Sequence, residues 1–363
     1  MQAQERLFSL DLLRGLDMFL LRAVVPLVGA GNQIWHFSPG FMAQFRHPWG
    51  GFTLLDIIMP LFIFMCGAAV PLALPKRMED GRAGRKYWTH VASRFALLWA
   101  LGMVCQGNLL TLDVSKFALY TNTLQAIASG YVIAAVAQTL RSVRVRQFLP
   151  FALVAVYALL LACCGDYSKE GNFAYVFELK LETALPFIGN TLGGHYTWFL
   201  TTLMFGAMTL FGMQATELLR SDRAPWRKAG LLAGYGAALL AVGWLLVPVV
   251  PMIKQIFTAS FTLQAMGWSM LAYAALYVLT DIWKFRRGLG LFILYGQCAL
   301  MVYMLGSWGL FYQPLELAAK NLTVGFPHLL GGETYQPLVV SIVYVVLLTT
   351  VVWFYRKAKL SRN

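Results

Sequence analysis

The sequence is short of charge. Of 363 residues only 12% are charged and 59% are hydrophobic, where an ordinary soluble domain carries about 25% charged residues. A soluble enzyme of this length would lack the polar residues to cover its surface, and a disordered chain needs the opposite balance. Both are excluded. Acidic residues are the scarcest charges, 16 against 29 Lys and Arg, for a net charge of +13. Such a surplus can mark a nucleic-acid partner. Here the basic residues fall in short clusters between long apolar runs, the pattern of membrane-protein loops, so no nucleic acid is expected. Cysteine is also sparse. Cys66, Cys105, Cys163, Cys164 and Cys298 show no CxxC spacing and lie in or beside apolar runs. They indicate neither a disulfide framework nor a zinc site, and no metal is expected. The chain has no Walker loop, no dinucleotide-type GxGxxG, no GxSxG elbow and no HExxH pair. A cleavable signal peptide is not expected either: the first apolar run carries four charges and no small-residue cleavage site follows it.

What is present is apolar sequence in lengths that suit a bilayer, about 20 residues per span. Ten spans are expected, at about 7–29, 52–74, 91–110, 121–140, 147–164, 197–217, 230–249, 259–280, 288–311 and 336–354. Several breaks between them carry Pro, Gly or charge runs. There is no internal repeat, no low-complexity segment and no boundary setting off a soluble domain. The expected fold is therefore all-α: a polytopic integral membrane protein, residues 1–363 forming one domain in the lipid bilayer. With the N-terminus inside, 20 of the 29 Lys and Arg fall in inner segments and six in outer ones. That asymmetry places both termini in the cytoplasm. Loops 30–51, 111–120, 165–196, 250–258 and 312–335 then face outward, with His36, His47, His195 and His328 on that side.

Charged residues stand where lipid is expected. The first span holds Asp11, Arg14, Asp17 and Arg22. On a helix Asp11, Arg14 and Arg22 fall within about 80° of one another and form a stripe about 16 Å long. Ionised residues in spans face protein or water. The stripe is either a structural Asp11–Arg14 pair that locks two helices, or a polar channel for a charged ligand; Arg22 has no evident partner on its own helix. A second constellation is His47-Pro-Trp-Gly-Gly-Phe-Thr-Leu-Leu-Asp56, followed by Pro60 and Gly67. His47 would sit at the outer mouth of the second span with Asp56 about one turn inside. Imidazole suits acid–base work near neutrality, and a carboxylate can orient it. The plain alternatives are a surface histidine beside a helix cap, an interfacial anchor for Trp49 and a packing kink at Pro60. Asn122, Gln125, Gln214, Gln264 and Lys254 are further polar residues in or beside spans, each explicable as an interhelical hydrogen bond.

These segments resemble a known family. Arg6 to Phe19, RLFSLDLLRGLDMF, is similar to the opening of the bacterial relatives of heparan-α-glucosaminide N-acetyltransferase. His47 to Gly67 follows that family's pattern H-x-x-W-x-G-x-x-x-x-D-x-x-x-P-x-F-x-F-x-x-G in order and spacing. Looser similarity covers Leu124–Tyr131, Phe211–Leu219 and Pro251–Leu263. The chain departs from the pattern at Val25, Gly50, Phe257 and Cys298. The resemblance implies a single transmembrane acyltransferase domain in the bacterial inner membrane, often dimeric. It implies acetyl-CoA as cytosolic donor substrate, a glucosamine-type amino group as periplasmic acceptor, and His47 as the active-site histidine on the periplasmic side. On this reading His47 is base or nucleophile and Asp56 orients it. Arg14, Arg22 and Arg94 neutralise donor phosphates, with Lys254 an alternative at the outer rim. Asn122 and Gln125 hold donor amides or sugar hydroxyls, and Trp49 and Asp11 meet the acceptor. Two other readings stay open: an O-acyltransferase of a surface glycan, and a transporter or flippase of a sugar-linked substrate.

Overall fold

The computed structural model describes residues 7–78, 82–105, 109, 119–185, 196–307, 312–330 and 333–361. His195 lies outside them. Every regular element among the described residues is a helix, with no strand. Contacts divide the chain into two compact units where the sequence shows no boundary. The first comprises Met1–Arg46, Thr53–Leu55 and Leu276–Asn363. The second comprises His47–Phe52 and Asp56–Ala275.

The first unit opens with α1 (Phe8–Phe19), a π-turn at Leu20–Val24 and α2 (Val25–Trp35), followed by the short α3 (Pro39–Ala43). The Asp281 carboxylate caps the start of α1, accepting from the backbone N–H groups of Phe8 at 3.3 Å and Ser9 at 3.1 Å. That geometry satisfies orphan donors and suits the positive end of the helix dipole.

The second unit is built around a buried helix. Its members are α4 (Ile58–Ala73), α5 (Arg85–Cys105), α6 (Thr123–Gln138), α7 (Val143–Cys164), α8 (Phe173–Ala184), α9 (Thr202–Leu219), α10 (Pro225–Leu246) and most of α11 (Ala259–Tyr277). Every residue of α9 from Met204 to Thr216 is buried, as its apolar circumference requires. It packs on α4, α6 and α7. Glycine allows the closest approach: a Cβ at Gly67 would overlap the Thr209 carbonyl, and one at Gly212 the Phe64 carbonyl. Small residues at such crossings let backbones meet where lipid supplies no hydrophobic drive.

The remaining helices belong to the first unit: α12 (Gly290–Gln297), α13 (Ala299–Leu305), α14 (Tyr312–Leu322), α15 (Phe326–Leu330) and α16 (Gln336–Leu360).

Among the described residues five helices are long and apolar enough to cross a membrane: Leu54–Ala73, Val143–Cys164, Pro225–Leu246, Ala259–Ile282 and Gln336–Leu360. They answer to five of the ten expected spans. Four of the other five expected segments have identifiable weaknesses as spans. Helix α6 is apolar but has 16 residues. The run expected at 288–311 breaks at Cys298 into α12 and α13. The first segment carries its four charges, and α5 carries Arg85, Lys86 and Arg94. The apolar surface of α7 is largely exposed, with Phe148 and Leu159 at 70% and 63%, as a lipid-facing helix requires.

Candidate functional site

The site assembles inside the second unit. Asp56 sits in a 3₁₀ turn, Leu54–Ile57, that leads into α4, where the positive helix end favours a carboxylate. It is 1% exposed. Its Oδ1 lies 2.6 Å from His47 Nδ1 and 3.2 Å from Lys254 Nζ. Lys254 Nζ is also 3.0 Å from His47 Nδ1 and 3.5 Å from His47 Nε2. The three groups form one cluster.

Proton bookkeeping assigns their roles. Lys254 only donates, and ionised Asp56 only accepts. Both the imidazole and the ammonium are satisfied when Nδ1–H and Nζ–H converge on Asp56 Oδ1. That arrangement leaves the lone pair of the neutral ring on Nε2. The His47 side chain is 40% exposed whereas Lys254 and Asp56 are buried, so the ring is the reachable member. The geometry provides a proton acceptor at Nε2 with an N–H donor beside it, the pairing that acyl transfer needs.

Two loops are tied together to make this cluster. Gly51 has φ +106°, a conformation that favours glycine, and its N–H donates to the Met252 carbonyl at 2.8 Å. The Gln255 amide donates to the Pro48 carbonyl at 3.2 Å. The Lys254 loop is itself held. Tyr157 donates to the Ile256 carbonyl at 2.5 Å, and Ile253 N–H donates to Thr258 Oγ1 at 3.0 Å. Phe257 is left-handed at φ +46° and packs edge-on against Phe205, ring centroids 4.9 Å apart.

Aromatic groups stand around the cluster. Trp49 donates its indole N–H to the Tyr167 carbonyl at 3.3 Å, and Lys169 lies 5.8 Å from its ring centroid. Tyr196 stacks on Trp198 at 5.7 Å. Burial first, and then the Asp56 carboxylate, hold the Tyr196 phenol above its usual value, which puts this residue within electrostatic reach of the cluster. Glu178 on α8 accepts from the N–H groups of Trp198 and Phe199 and so positions that segment.

Burial pushes the Lys254 ammonium down to about 8, and Asp56 opposes the shift. Lys254 lies in the loop between α10 and α11. From this follow two opposed pH trends. If the charged ammonium assists the reaction, turnover falls as pH rises through about 8. The unfolded chain still holds this proton up to the ordinary value of 10.5. Between the two values the unfolded state binds more protons, so stability rises with pH. Turnover and detergent melting temperature, measured from pH 7 to 10, are expected to move in opposite directions. Turnover that holds or rises across this range would remove Lys254 from this role.

The other residues singled out from sequence have their contacts elsewhere. Asn122 accepts from Leu124 N–H at 2.8 Å, and Gln125 accepts from the N–H groups of Thr121 and Asn122 at 2.9 and 3.0 Å, a capping box on α6. The Gln125 amide also donates to the Leu119 carbonyl at 2.6 Å. Arg94 lies 4.8 Å over the Tyr131 ring. Asp11, Arg14 and Arg22 belong to the first unit. Arg14 pairs with Asp11 at 3.7 Å. Arg22 donates to the carbonyls of Gly306 and Tyr303, the latter at 3.0 Å, and to Ser307 Oγ at 3.3 Å. Sequence reasoning placed Lys254 at the rim and missed it as the third member of the His47–Asp56 cluster. Tyr196 was missed entirely. Among the described residues no group of three or more His, Cys, Asp or Glu is placed to hold a metal ion.

Fold and site together define a helical membrane protein with a carboxylate–imidazole–ammonium cluster. The chain belongs to the family described as a domain of unknown function, DUF5009, which matches residues 6–243. The match includes His47 and Asp56 and stops short of Lys254. Over 99 residues the chain is 26% identical to human heparan-alpha-glucosaminide N-acetyltransferase. That stretch is 27% of this chain and spans 13% of the human protein's length.

Proposed function

We propose that this protein is a membrane acyltransferase that moves an acetyl group from acetyl-CoA to the amino group of an amino sugar of glucosamine type. The observation that carries the reading is the His47–Asp56–Lys254 cluster. The similarity to a membrane N-acetyltransferase supports it. The amine enters unprotonated and attacks the thioester carbonyl. His47 Nε2 takes the proton released from nitrogen, and Asp56 supports the imidazolium. Lys254 steadies the carbonyl oxygen as it gains charge. When the C–S bond breaks, the imidazolium returns its proton to the thiolate. The products are an amide and free CoA, and no water is consumed. In a covalent variant of this scheme His47 is acetylated first and the amine attacks second.

The wider setting is part of the same proposal. The protein sits in the bacterial inner membrane with both termini in the cytoplasm, about ten spans and His47 on the periplasmic side, and pairs as a homodimer. Donor phosphates are neutralised by Arg14, Arg22 and Arg94. The topology is checked by labelling cysteines with an impermeant maleimide, in a background where Cys163 and Cys164 are Ser. A cysteine at Glu170 is expected to label from the periplasm and one at Asp222 to be protected. The reverse pattern would overturn the orientation.

The activity is tested with purified protein, radiolabelled acetyl-CoA and a panel of amino sugars. Transfer to an amine gives a product that survives hydroxylamine. A product cleaved by hydroxylamine would be an ester and would favour O-acylation of a glycan. No labelled product with any acceptor would count against the enzyme.

A further inference from the structure

A second cavity lies at the other end of α4 from His47. It is gathered from the last turns of α4, α6 and α9, the first turns of α7 and the middle of α10, and has a volume of about 720 Å³. Helix α4 has 16 residues, so at 1.5 Å per residue about 24 Å separates this cavity from the catalytic end. Acyl transfer at His47 makes no use of it.

Its walls are of two kinds. One is basic: Arg146, Arg220 and Arg223 line it, with Glu217 as the one acidic side chain there. Arg146 pairs with Glu217 at 3.4 Å, and Arg220 donates to the Pro71 carbonyl at 2.6 Å. Arg223 has no partner among the described residues and is exposed. The other wall is apolar. Phe148 and Val143 line it while remaining 70% and 51% exposed on the outer face of α7. The cavity therefore borders lipid on one side and the charged ends of helices on the other.

Its floor is built in advance. The Gln214 amide donates to the carbonyls of Arg146 and Gln147, both at 3.0 Å, and Tyr235 donates to Gln214 Oε1 at 2.7 Å. These bonds fix the start of α7 and with it Arg146.

We propose that this cavity binds an anionic phospholipid, drawn from the leaflet that borders this end of the protein. The phosphate meets Arg146 and Arg223, and the acyl chains run along Phe148 and Val143. Basic pockets between membrane helices recognise anionic headgroups in this way. The lipid would pin α4, α7 and α9 together.

Purified full-length protein in neutral detergent is titrated with phosphatidylglycerol, and binding is read by native mass spectrometry and by melting temperature. Phosphatidylglycerol is expected to bind and to raise the melting temperature, and phosphatidylcholine to do neither. The exposed Arg223→Gln is expected to weaken binding about fivefold, as one cation near a membrane surface is worth. A paired variant, Arg146→Gln with Glu217→Gln, removes the internal ion pair without leaving a lone charge and is expected to weaken it further. Equal binding of phosphatidylcholine, or unchanged affinity in both variants, would overturn the proposal. So would displacement of the lipid by free CoA, which would make the cavity a nucleotide site. None of these readouts depends on acetyl transfer.

Discussion

His47→Ala is expected to cut acetyl transfer about 10²- to 10⁴-fold, the usual contribution of a positioned proton acceptor, while donor affinity stays close to wild type. The ring is the exposed member of a cluster whose other two members are buried. Removing it takes away Nε2, where the amine proton goes, and leaves the Asp56–Lys254 ion pair intact at 3.2 Å. The variant should therefore fold. Donor binding by equilibrium dialysis and turnover by product formation separate the two effects. A well-folded His47→Ala protein with near-normal turnover would reduce His47 to a surface residue beside a helix cap. If wild type traps a labelled acetyl group in the absence of acceptor and the variant does not, the covalent route through acetyl-histidine is favoured.

The second large effect concerns Asp56 and Lys254. They are 1% and 4% exposed, so each neutralises a charge that burial makes expensive. Removing one partner of such a pair costs about 3–5 kcal/mol, because the other charge is stranded. Asp56→Asn and Lys254→Met are each expected to lower the melting temperature. Asp56→Asn keeps an acceptor oxygen but loses the negative charge that supports the imidazolium, so turnover is expected to fall about 10²-fold or more, within the range of general-base catalysis. The double variant Asp56→Asn/Lys254→Met strands no charge. It is expected to recover most of the stability and none of the activity. Stability losses that simply add would show that the pair is uncoupled. Recovered turnover in the double variant would show that the cluster serves folding alone.

The half of the site that is local in sequence was legible before the structure. His47 and Asp56 are nine residues apart, and the intervening Trp, two glycines and short turn leave few ways for them to miss each other. Lys254 is 207 residues from His47. Its approach depends on the backbone ties between Gly51 and Met252 and between Gln255 and Pro48, which no periodicity encodes. Asn122 and Gln125 show a different ambiguity. Two polar residues opening an apolar run read as ligands, yet the spacing N-x-x-Q is also that of a capping box, and the structure spends both side chains on the backbone there. Arg22 donates to carbonyls and a hydroxyl at residues 303–307, a separation in sequence that no motif announces. The helical class followed from composition. The break at Cys298 did not, since the surrounding residues are apolar on both sides and hydropathy averages over a local change of direction.

Acyl transfer by the His47 cluster is tested most directly in proteoliposomes loaded with an amino-sugar acceptor, with labelled acetyl-CoA added outside. Wild-type protein is expected to yield the labelled N-acetyl sugar in the lumen, and His47→Gln protein, reconstituted at equal density, to yield at most about a hundredth as much. Equal yields from the two proteins, or no labelled sugar from wild type with any amino-sugar acceptor, would contradict it.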